Sequence, residues 1–444
     1  MSEALNSESL YTKQQRVAEL ARQAPQMGFT SLNHLLDVRW LHRAYVATSA
    51  SAAPGVDGQT AEDYSAHLMD NLQALENRAK SGTYRAPPVR RVYIPKGTGT
   101  ETRPIGMPTF EDKVLQRAVV MVLEPIYEQD FLDCSYGFRP GRSAHQALDA
   151  LWHQTMAMGG GWIVEVDIRK FFDTLDHAHL RVLLRQRIRD GVLLRLLSKW
   201  LHAGVLEAGV LSYPESGTPQ GGVISPLLAN VYLHYVLDVW FAAEVKPRLQ
   251  GRAFLIRYAD DFVMGFACEE DARRVLDVLP KRFGKYGLTL HPDKTRLVDF
   301  RRPPSGSGPG AAGGWKPGTF DFLGFTHLWG RSRQGRPVVQ RRTARSRLGR
   351  SLGKVAQWLR RHRHDPVGEQ CRRLSRSLQG HFGYYGITGN ARALSRFREA
   401  VLALWRKWLG RRRRGGWMSW ERFRLLLRLF PLPPARVVHS IYRA

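Results

Sequence analysis

Hydrophobic positions along the chain alternate between a helical period and a strand period. In 28–47, Leu32, Leu35, Leu36 and Trp40 recur at helical spacing before the segment SASAAPGVDG, whose small residues predict a flexible connection. Residues 1–80 as a whole read as helical and loop-rich. From about residue 84 the pattern is mixed. VRRVYIPKGTGTETRPIGMP reads as two strands about a Gly/Thr turn, a hairpin. FEDKVLQRAVVMVLEPIYE predicts a helix, GGGWIVEVDIRKFFDTLD a strand running into a turn, and RVLLRQRIRDGVLLRLLSKWL a helix. SPLLANVYLHYVLDVWF predicts a helix opened by Ser225–Pro226, since proline suits the first turn. AFLIRYADDFVMGF has the apolar flanks of a strand–turn–strand hairpin with its turn at Asp260 and Asp261. DARRVLDVLPKRFGKYGL predicts a helix, TRLVDF a short strand, and TFDFLGFTHLWG further strand.

The run PPSGSGPGAAGGWKPG at 303–318 has linker composition and predicts a flexible surface loop without chemistry. Beyond about 340 the chain is helical and basic. Leu348, Leu352, Val355 and Leu359 form one apolar stripe, and Leu394, Phe397, Val401, Leu404 and Trp408 form another, with arginines opposite. A small helical unit with an apolar core and a cationic exterior follows.

Charge sharpens this division. The formal net charge is +28. Residues 301–444 hold 32 Lys+Arg against 5 Asp+Glu, whereas 1–300 are nearly balanced. A cationic field of this density, interleaved with aromatics, points to nucleic acid. GRRRRGGW (410–417) is the densest run and reads as phosphate-binding or disordered, not catalytic. Trp405 and Trp408 fall at core spacing, leaving Trp417 and Trp420 as the better candidates for stacking on bases. No apolar run reaches the roughly 20 residues of a membrane span. The N-terminus lacks signal-peptide order, so a cytoplasmic protein without membrane partners is expected. Cys134, Cys268 and Cys371 are isolated, which supports neither disulfides nor a zinc module.

The chemistry-bearing candidates are carboxylates. Asp167 ends an apolar strand, and Asp260–Asp261 lie at a hairpin turn about ninety residues later. Alone, an Asp–Asp pair is better explained by turn chemistry. If the two strands are sheet neighbours, three carboxylates converge, and their repulsion raises their pKa values unless cations intervene. Hard oxygen ligands suit Mg²⁺ shared with substrate phosphates, and a pair of such ions serves in-line displacement at phosphorus.

These residues resemble a known family. YADD (258–261) is similar to the YxDD box of reverse transcriptases, VDIRKFFD (166–173) to their upstream palm motif, and GTPQGGVISPLLANVYL (217–233) to the motif between them. YIPKGTGTETRPIGMP (93–108) resembles the fingers hairpin and YGFRPGRSAHQAL (136–148) the next block, with GLTLHPDKTRLVDF (287–300) and FDFLGF (320–325) completing the series in family order. Within that family the chain most resembles group II intron reverse transcriptase/maturases.

The resemblance implies an α+β, right-hand polymerase fold: fingers, a palm with an antiparallel sheet, and a helical thumb. Residues 1–80 would form an N-terminal extension and the start of the fingers, 81–335 fingers and palm, 336–412 the thumb or maturase domain, and 413–444 a basic C-terminal segment. It implies an RNA-directed DNA polymerase with Asp167, Asp260 and Asp261 as catalytic metal ligands. The Ile168 carbonyl would add an oxygen, and two Mg²⁺ ions would bind, Mn²⁺ being a possible substitute. Lys96 and Arg103 would contact the incoming triphosphate, Phe172 would exclude a ribose 2′-hydroxyl, and Gln220 would line the nucleotide pocket beside Gly221 and Gly222. Leu323 and Gly324 would form the primer grip. Asp173 reads as a turn or cap residue, His145 as structural, and Arg139 and Arg142 either face phosphates or anchor their loop. The implied partners are an RNA template, the group II intron RNA whose splicing the protein assists, a DNA primer or cDNA, and dNTPs; the pattern sets no oligomeric state. Two alternatives stay open: a host-adopted reverse transcriptase (CRISPR-associated or repair), and an RNA-binding splicing cofactor without polymerase activity. Without paired cysteines, no HNH-type DNA cleavage is expected.

Overall fold

The computed structural model describes residues 2–95, 102–207, 209–213, 216–217, 221–303, 317–332, 334–412 and 416–440. Helices α1 (Ser2–Gln23), α2 (Val38–Val46), α3 (Ala61–Ser65) and α4 (Leu68–Ser81) lead into the hairpin β1 (Val89–Pro95) and β2 (Thr102–Met107). Helices α5 (Phe110–Asp130) and α6 (Ala144–Met158) precede β3 (Trp162–Val166), α7 (Phe171–Thr174), α8 (His177–Arg187), α9 (Gly191–Leu201), β4 (Val205–Glu207) and β5 (Val210–Ser212). Then come α10 (Ser225–Leu233), β6 (Ala253–Tyr258), β7 (Asp261–Phe266), α11 (Glu269–Gly284), β8 (Arg296–Asp299), β9 (Phe320–Phe322), β10 (Phe325–Arg331) and β11 (Pro337–Thr343). Helices α12 (Arg345–Arg361), α13 (Val367–Tyr385), α14 (Ala391–Gly410) and α15 (Trp420–Leu429) close the described chain. The content is α+β.

Three expected elements take a different form, each for a local reason. The helix read through 181–201 is two helices, because Asp190 accepts from the Val192 and Leu193 amides and restarts the chain as α9. The other carboxylate oxygen of Asp190 accepts from the Leu32 and Asn33 amides at 2.7 and 2.9 Å, so the first half of the 28–47 stripe is a single 3₁₀ turn and only α2 is α-helical. SASAAPGVDG is fitted rather than flexible. Lys113 Nζ donates to the Ala53 carbonyl and Arg90 Nη2 to that of Pro54, while a Cβ at Gly55 would meet the Thr109 backbone at 2.6 Å. The turn of the β1–β2 hairpin and most of 303–318 lie outside the described residues.

Among the described residues the strands form three sheets. The central one has the order β6-β7-β3-β8, with every neighbour antiparallel. Its strands are apolar almost throughout because both faces are covered. Leu255, Val164, Val166, Phe262, Met264 and Phe266 belong to the core shared with α11 and the N-terminal helices. Phe254, Ile256, Ile163, Val263 and Val298 face α6 and the three-stranded sheet β11-β10-β9. The hairpin sheet, β2-β1-β4-β5, stands apart.

The C-terminal helices have their own core, built on both expected stripes. On α14 Phe397 and Trp405 are both fully buried, Trp405 Nε1 donating to Gln370 Oε1 at 2.8 Å, while Trp408 is half-buried. Phe423 of α15 and Leu432 are buried in the same core, so this unit continues well past residue 412. The expected boundary at 335/336 falls within a hairpin, since β10 pairs with β11 from Phe325 opposite Thr343 to Arg331 opposite Pro337. No helix among the described residues is long and apolar enough to cross a membrane. Phe423→Ala removes a fully buried ring and should cost about 3–5 kcal/mol. Denaturant unfolding followed by tryptophan fluorescence should show a lower midpoint; an unchanged midpoint would mean that α15 is a detached tail.

Candidate active site

Strand register brings the carboxylates together. In the β3–β7 ladder Val166 lies opposite Phe262, so the residue that follows β3, Asp167, emerges at the sheet edge beside Asp261, which opens β7. In the β6–β7 hairpin Tyr258 is opposite Asp261, leaving Ala259 and Asp260 as a two-residue turn. Ala259 takes a left-handed φ of 58° there, a strained conformation for a non-glycine residue unless neighbours hold it.

The restraint comes from Arg257, fully buried on β6. Its Nε and Nη2 donate to the two carboxylate oxygens of Asp238 at 2.8 and 2.5 Å, Nη1 to Asn230 Oδ1 at 2.9 Å and to the Ala259 carbonyl at 3.0 Å, and Nη2 also to Ser135 Oγ at 2.7 Å. Asn230 in turn donates to the Gly137 carbonyl at 2.7 Å. A Cβ at Gly137 would lie 2.3 Å from the Ala259 nitrogen, so only glycine lets this loop close against the turn. Neither Arg257 nor Asp238 was singled out from the sequence. The one available signal was an arginine inside an otherwise apolar strand, which requires a buried partner.

Charge at the edge is unbalanced. Asp261 is exposed at the open edge of the sheet; the protein packed around it strips part of its water, and this, then Asp260, Asp167 and Glu165, push its carboxyl up to about 7. Burial also raises Asp260, offset in part by Arg103 of β2, which places that guanidinium within electrostatic reach of the turn. The Leu323 amide hydrogen-bonds Asp261 and lowers its pKa. Leu323 and Gly324, with φ of 50° and 80°, form the turn between β9 and β10, and Tyr384 Oη donates to the Leu323 carbonyl at 2.9 Å. Lys294 Nζ lies 2.8 Å from Asp167 Oδ2, a partner that sequence reading passed over. Asp167 also accepts at its carbonyl from the His291 amide, and Arg169 donates to Thr289, so Ile168 pairs with Leu290 without using its own carbonyl in that bridge.

The other expected site residues divide. Phe172 is buried against Phe171 at a 5.3 Å centroid distance, in the core below Asp167. Gly221, at φ 117°, presses on the base of the β1–β2 hairpin, where a Cβ would meet the Gly106 carbonyl at 2.4 Å. Lys96 and Gln220 lie outside the described residues. Arg139 is a loop anchor: it is buried, forks onto Glu128, and donates to the Leu132 and Ser135 carbonyls. Arg142 pairs with Asp133 at 2.6 Å. Asp173 lies in the short α7, while the cap of α8 is Asp176, which accepts from the His179 amide. His145 is structural, its Nε2 at 2.9 Å from the Tyr384 carbonyl.

Among the described residues no three His, Cys, Asp or Glu side chains already enclose a single metal position. The donor set nonetheless fits a hard divalent cation: crowded carboxylates with raised pKa values and an acceptor carbonyl at one open edge suit an ion that keeps water and substrate oxygens in its shell.

Two outcomes follow. Arg257→Ala strands Asp238 as a buried charge and should destabilise the protein by about 3–5 kcal/mol; the pair Arg257→Met with Asp238→Leu should recover most of that stability, as read by denaturant titration. Asp261 supplies the second. Its folded pKa of about 7 exceeds the ordinary 3.8, so the folded state binds the extra proton and stability falls as pH rises from about 4 to 7. Asp261→Asn should therefore raise the melting temperature of chelator-treated protein at pH 8, with the gain shrinking below pH 7. A constant gain across this range would contradict the assignment.

Residues 94–327, over half of the chain, match the family described as "Reverse transcriptase (RNA-dependent DNA polymerase)". Protein YkfC of Escherichia coli is 36% identical over 324 residues, 64% of this chain and 83% of that protein. The group II intron-encoded protein LtrA of Lactococcus lactis is 43% identical over 189 residues, 42% of this chain but 31% of LtrA. An uncharacterised 91 kDa protein in the cob intron of Schizosaccharomyces pombe is 40% identical over 166 residues, 37% of this chain and 20% of that protein. With its carboxylate edge inside the matched span, the chain belongs to the reverse transcriptase family and is related to group II intron-encoded proteins.

Proposed function

We infer that the protein synthesises DNA on an RNA template and that Asp167, Asp260 and Asp261 are its reaction centre. The observation carrying this is the register that sets Asp167 beside Asp261 on one sheet edge. On this reading the fold is the right hand of a polymerase. The central sheet is the palm, the β1–β2 hairpin with the helices around it the fingers, and the C-terminal helices the thumb.

Asp167, Asp260, Asp261 and the Ile168 carbonyl would hold divalent ions, Mg²⁺ by their oxygen chemistry. When bound, the ions lower the cost of charge on the attacking 3′-hydroxyl and on the leaving pyrophosphate. The chain's own groups do the rest. Arg103, whose charge acts on Asp260 from the fingers, would meet the triphosphate, with Lys96 from the same hairpin. Gln220 would line the pocket whose wall Gly221 brings against the hairpin base. Phe172, rigid in the core, would bar a 2′-hydroxyl. The Leu323–Gly324 turn touches Asp261 and would set the primer end against it. Lys294 holds Asp167 in place until the site is loaded. The arginine-rich C-terminal unit would follow the backbone of the RNA–DNA duplex, which supplies affinity rather than sequence choice.

The intron-encoded relatives support a second task on the same surface: binding the RNA of a group II intron and assisting its splicing. Primer extension on an RNA template with dNTPs tests the principal reading. Wild-type protein should make cDNA, and Asp260→Ala should lower the rate by at least about a thousandfold, equivalent to roughly 4 kcal/mol of lost transition-state stabilisation. Equal extension by both proteins would refute the site. Splicing support without any cDNA from the wild type would instead identify an RNA-binding cofactor.

A further inference from the structure

A cleft of about 320 Å³ opens between α12 and α13, far along the chain from the carboxylates and without a part in the reaction above. Its volume is at the lower end of the range of small-molecule sites, roughly 300–1,000 Å³. Spacing on the two helices builds it. Ser351, Lys354 and Trp358 succeed one another along a face of α12, and Arg373, Ser377 and His381 along a face of α13, at the three- and four-residue steps that align side chains.

The floor is apolar, with Leu374 and Phe397 both buried in the core of the unit. Aromatic side chains line the cleft: Trp358, His381, Tyr385 and Phe397. Trp358 stacks on His362 at 4.9 Å and 17°, and His381 stacks on Phe397 at 3.7 Å and 18°. His381 is only 7% exposed, and its Nε2 is buried with no hydrogen-bond partner among the described residues. A buried polar atom in that state calls for a partner from outside the chain. Lys354, Arg373 and Ser377 are exposed around the rim, and no ion pair ties down either cation among the described residues.

Flat aromatic surface, one buried hydrogen-bonding nitrogen and a cationic rim describe the chemistry of a base with its phosphate. A paired duplex offers this cleft only phosphates, because its base faces are covered by their neighbours. We propose that the α12–α13 cleft is a pocket for one unstacked nucleotide, the base seated against Trp358 and His381 and the phosphate held by Lys354 and Arg373. The proposal rests on the reading that the protein binds RNA. It adds that the helical unit recognises a nucleotide displaced from a helix, not backbone alone. The same chemistry fits a free mononucleotide.

The test uses full-length protein and two RNA hairpins that differ only in a single bulged adenosine. The bulged hairpin should bind about tenfold tighter, since stacking one base on an aromatic side chain has that order of effect. Ser377→Trp, which fills the cleft from its rim, should bring the ratio close to one while primer extension on an unstructured template stays at the wild-type rate. Lys354→Ala with Arg373→Ala should also reduce the ratio, which separates the cleft from general phosphate binding. Photolabelling with 8-azidoadenosine 5′-monophosphate distinguishes the source. Labelled α12 or α13 peptides with equal hairpin affinities would assign the cleft to a free nucleotide. Equal affinities without labelling would overturn the proposal, as would a preference unchanged in both variants. Failure of wild-type primer extension would count against the polymerase reading alone, because the hairpin ratio does not depend on it.

Discussion

The site depends on a buried ion pair that takes no part in chemistry. Arg257 and Asp238 are both wholly removed from solvent and meet through two hydrogen bonds. Replacing such a pair by apolar residues is often neutral for stability, so its value here is positional. The remaining guanidinium hydrogens go to Asn230, Ser135 and the Ala259 carbonyl. One side chain thereby ties β6, the helix of the GTPQGG segment and the loop of the YGFRPG segment to the turn that carries Asp260. The left-handed Ala259 and the close approach of Gly137 are consequences of that tether.

Against this stiff base the carboxylate edge is electrostatically poised. Partial loss of water and mutual repulsion raise Asp260 and Asp261; Arg103 relieves Asp260, the Leu323 amide relieves Asp261, and Lys294 pairs with Asp167. Each is separated from the turn by tens of residues in sequence. The strand ladders, not the ion pairs, set the positions of the acids.

The positive charge is concentrated in the last third of the chain, whereas the acids lie in the nearly balanced part. A nearby cation favours the ionised form of a carboxylate, and at the edge itself that relief comes from single residues such as Lys294. The helical unit carries the arginines on its exterior while burying Trp405, Phe397 and Phe423. Its core includes α15, so the basic C-terminal residues are presented by a folded surface.

Much of this was readable from the sequence. The α+β content, the hairpin over 253–266, the helix opened by Ser225–Pro226 and the two C-terminal stripes follow from local periodicity and turn chemistry, which depend on near neighbours; the turn itself is Ala259–Asp260, one residue earlier than expected, because Asp261 already pairs with Tyr258. The carboxylates could be named from motif order. The sequence did not contain register: whether Asp167 meets Asp261 is decided by the pairing of β3 with β7 across nearly a hundred residues. For the same reason it did not disclose Asp238 as the partner of Arg257, Lys294 as that of Asp167, or Asp190 as the residue that divides α8 from α9 and ties down the 28–47 segment. Periodicity reports which face of an element is apolar; only tertiary packing decides which polar groups, far apart in the chain, must satisfy one another once that face is buried.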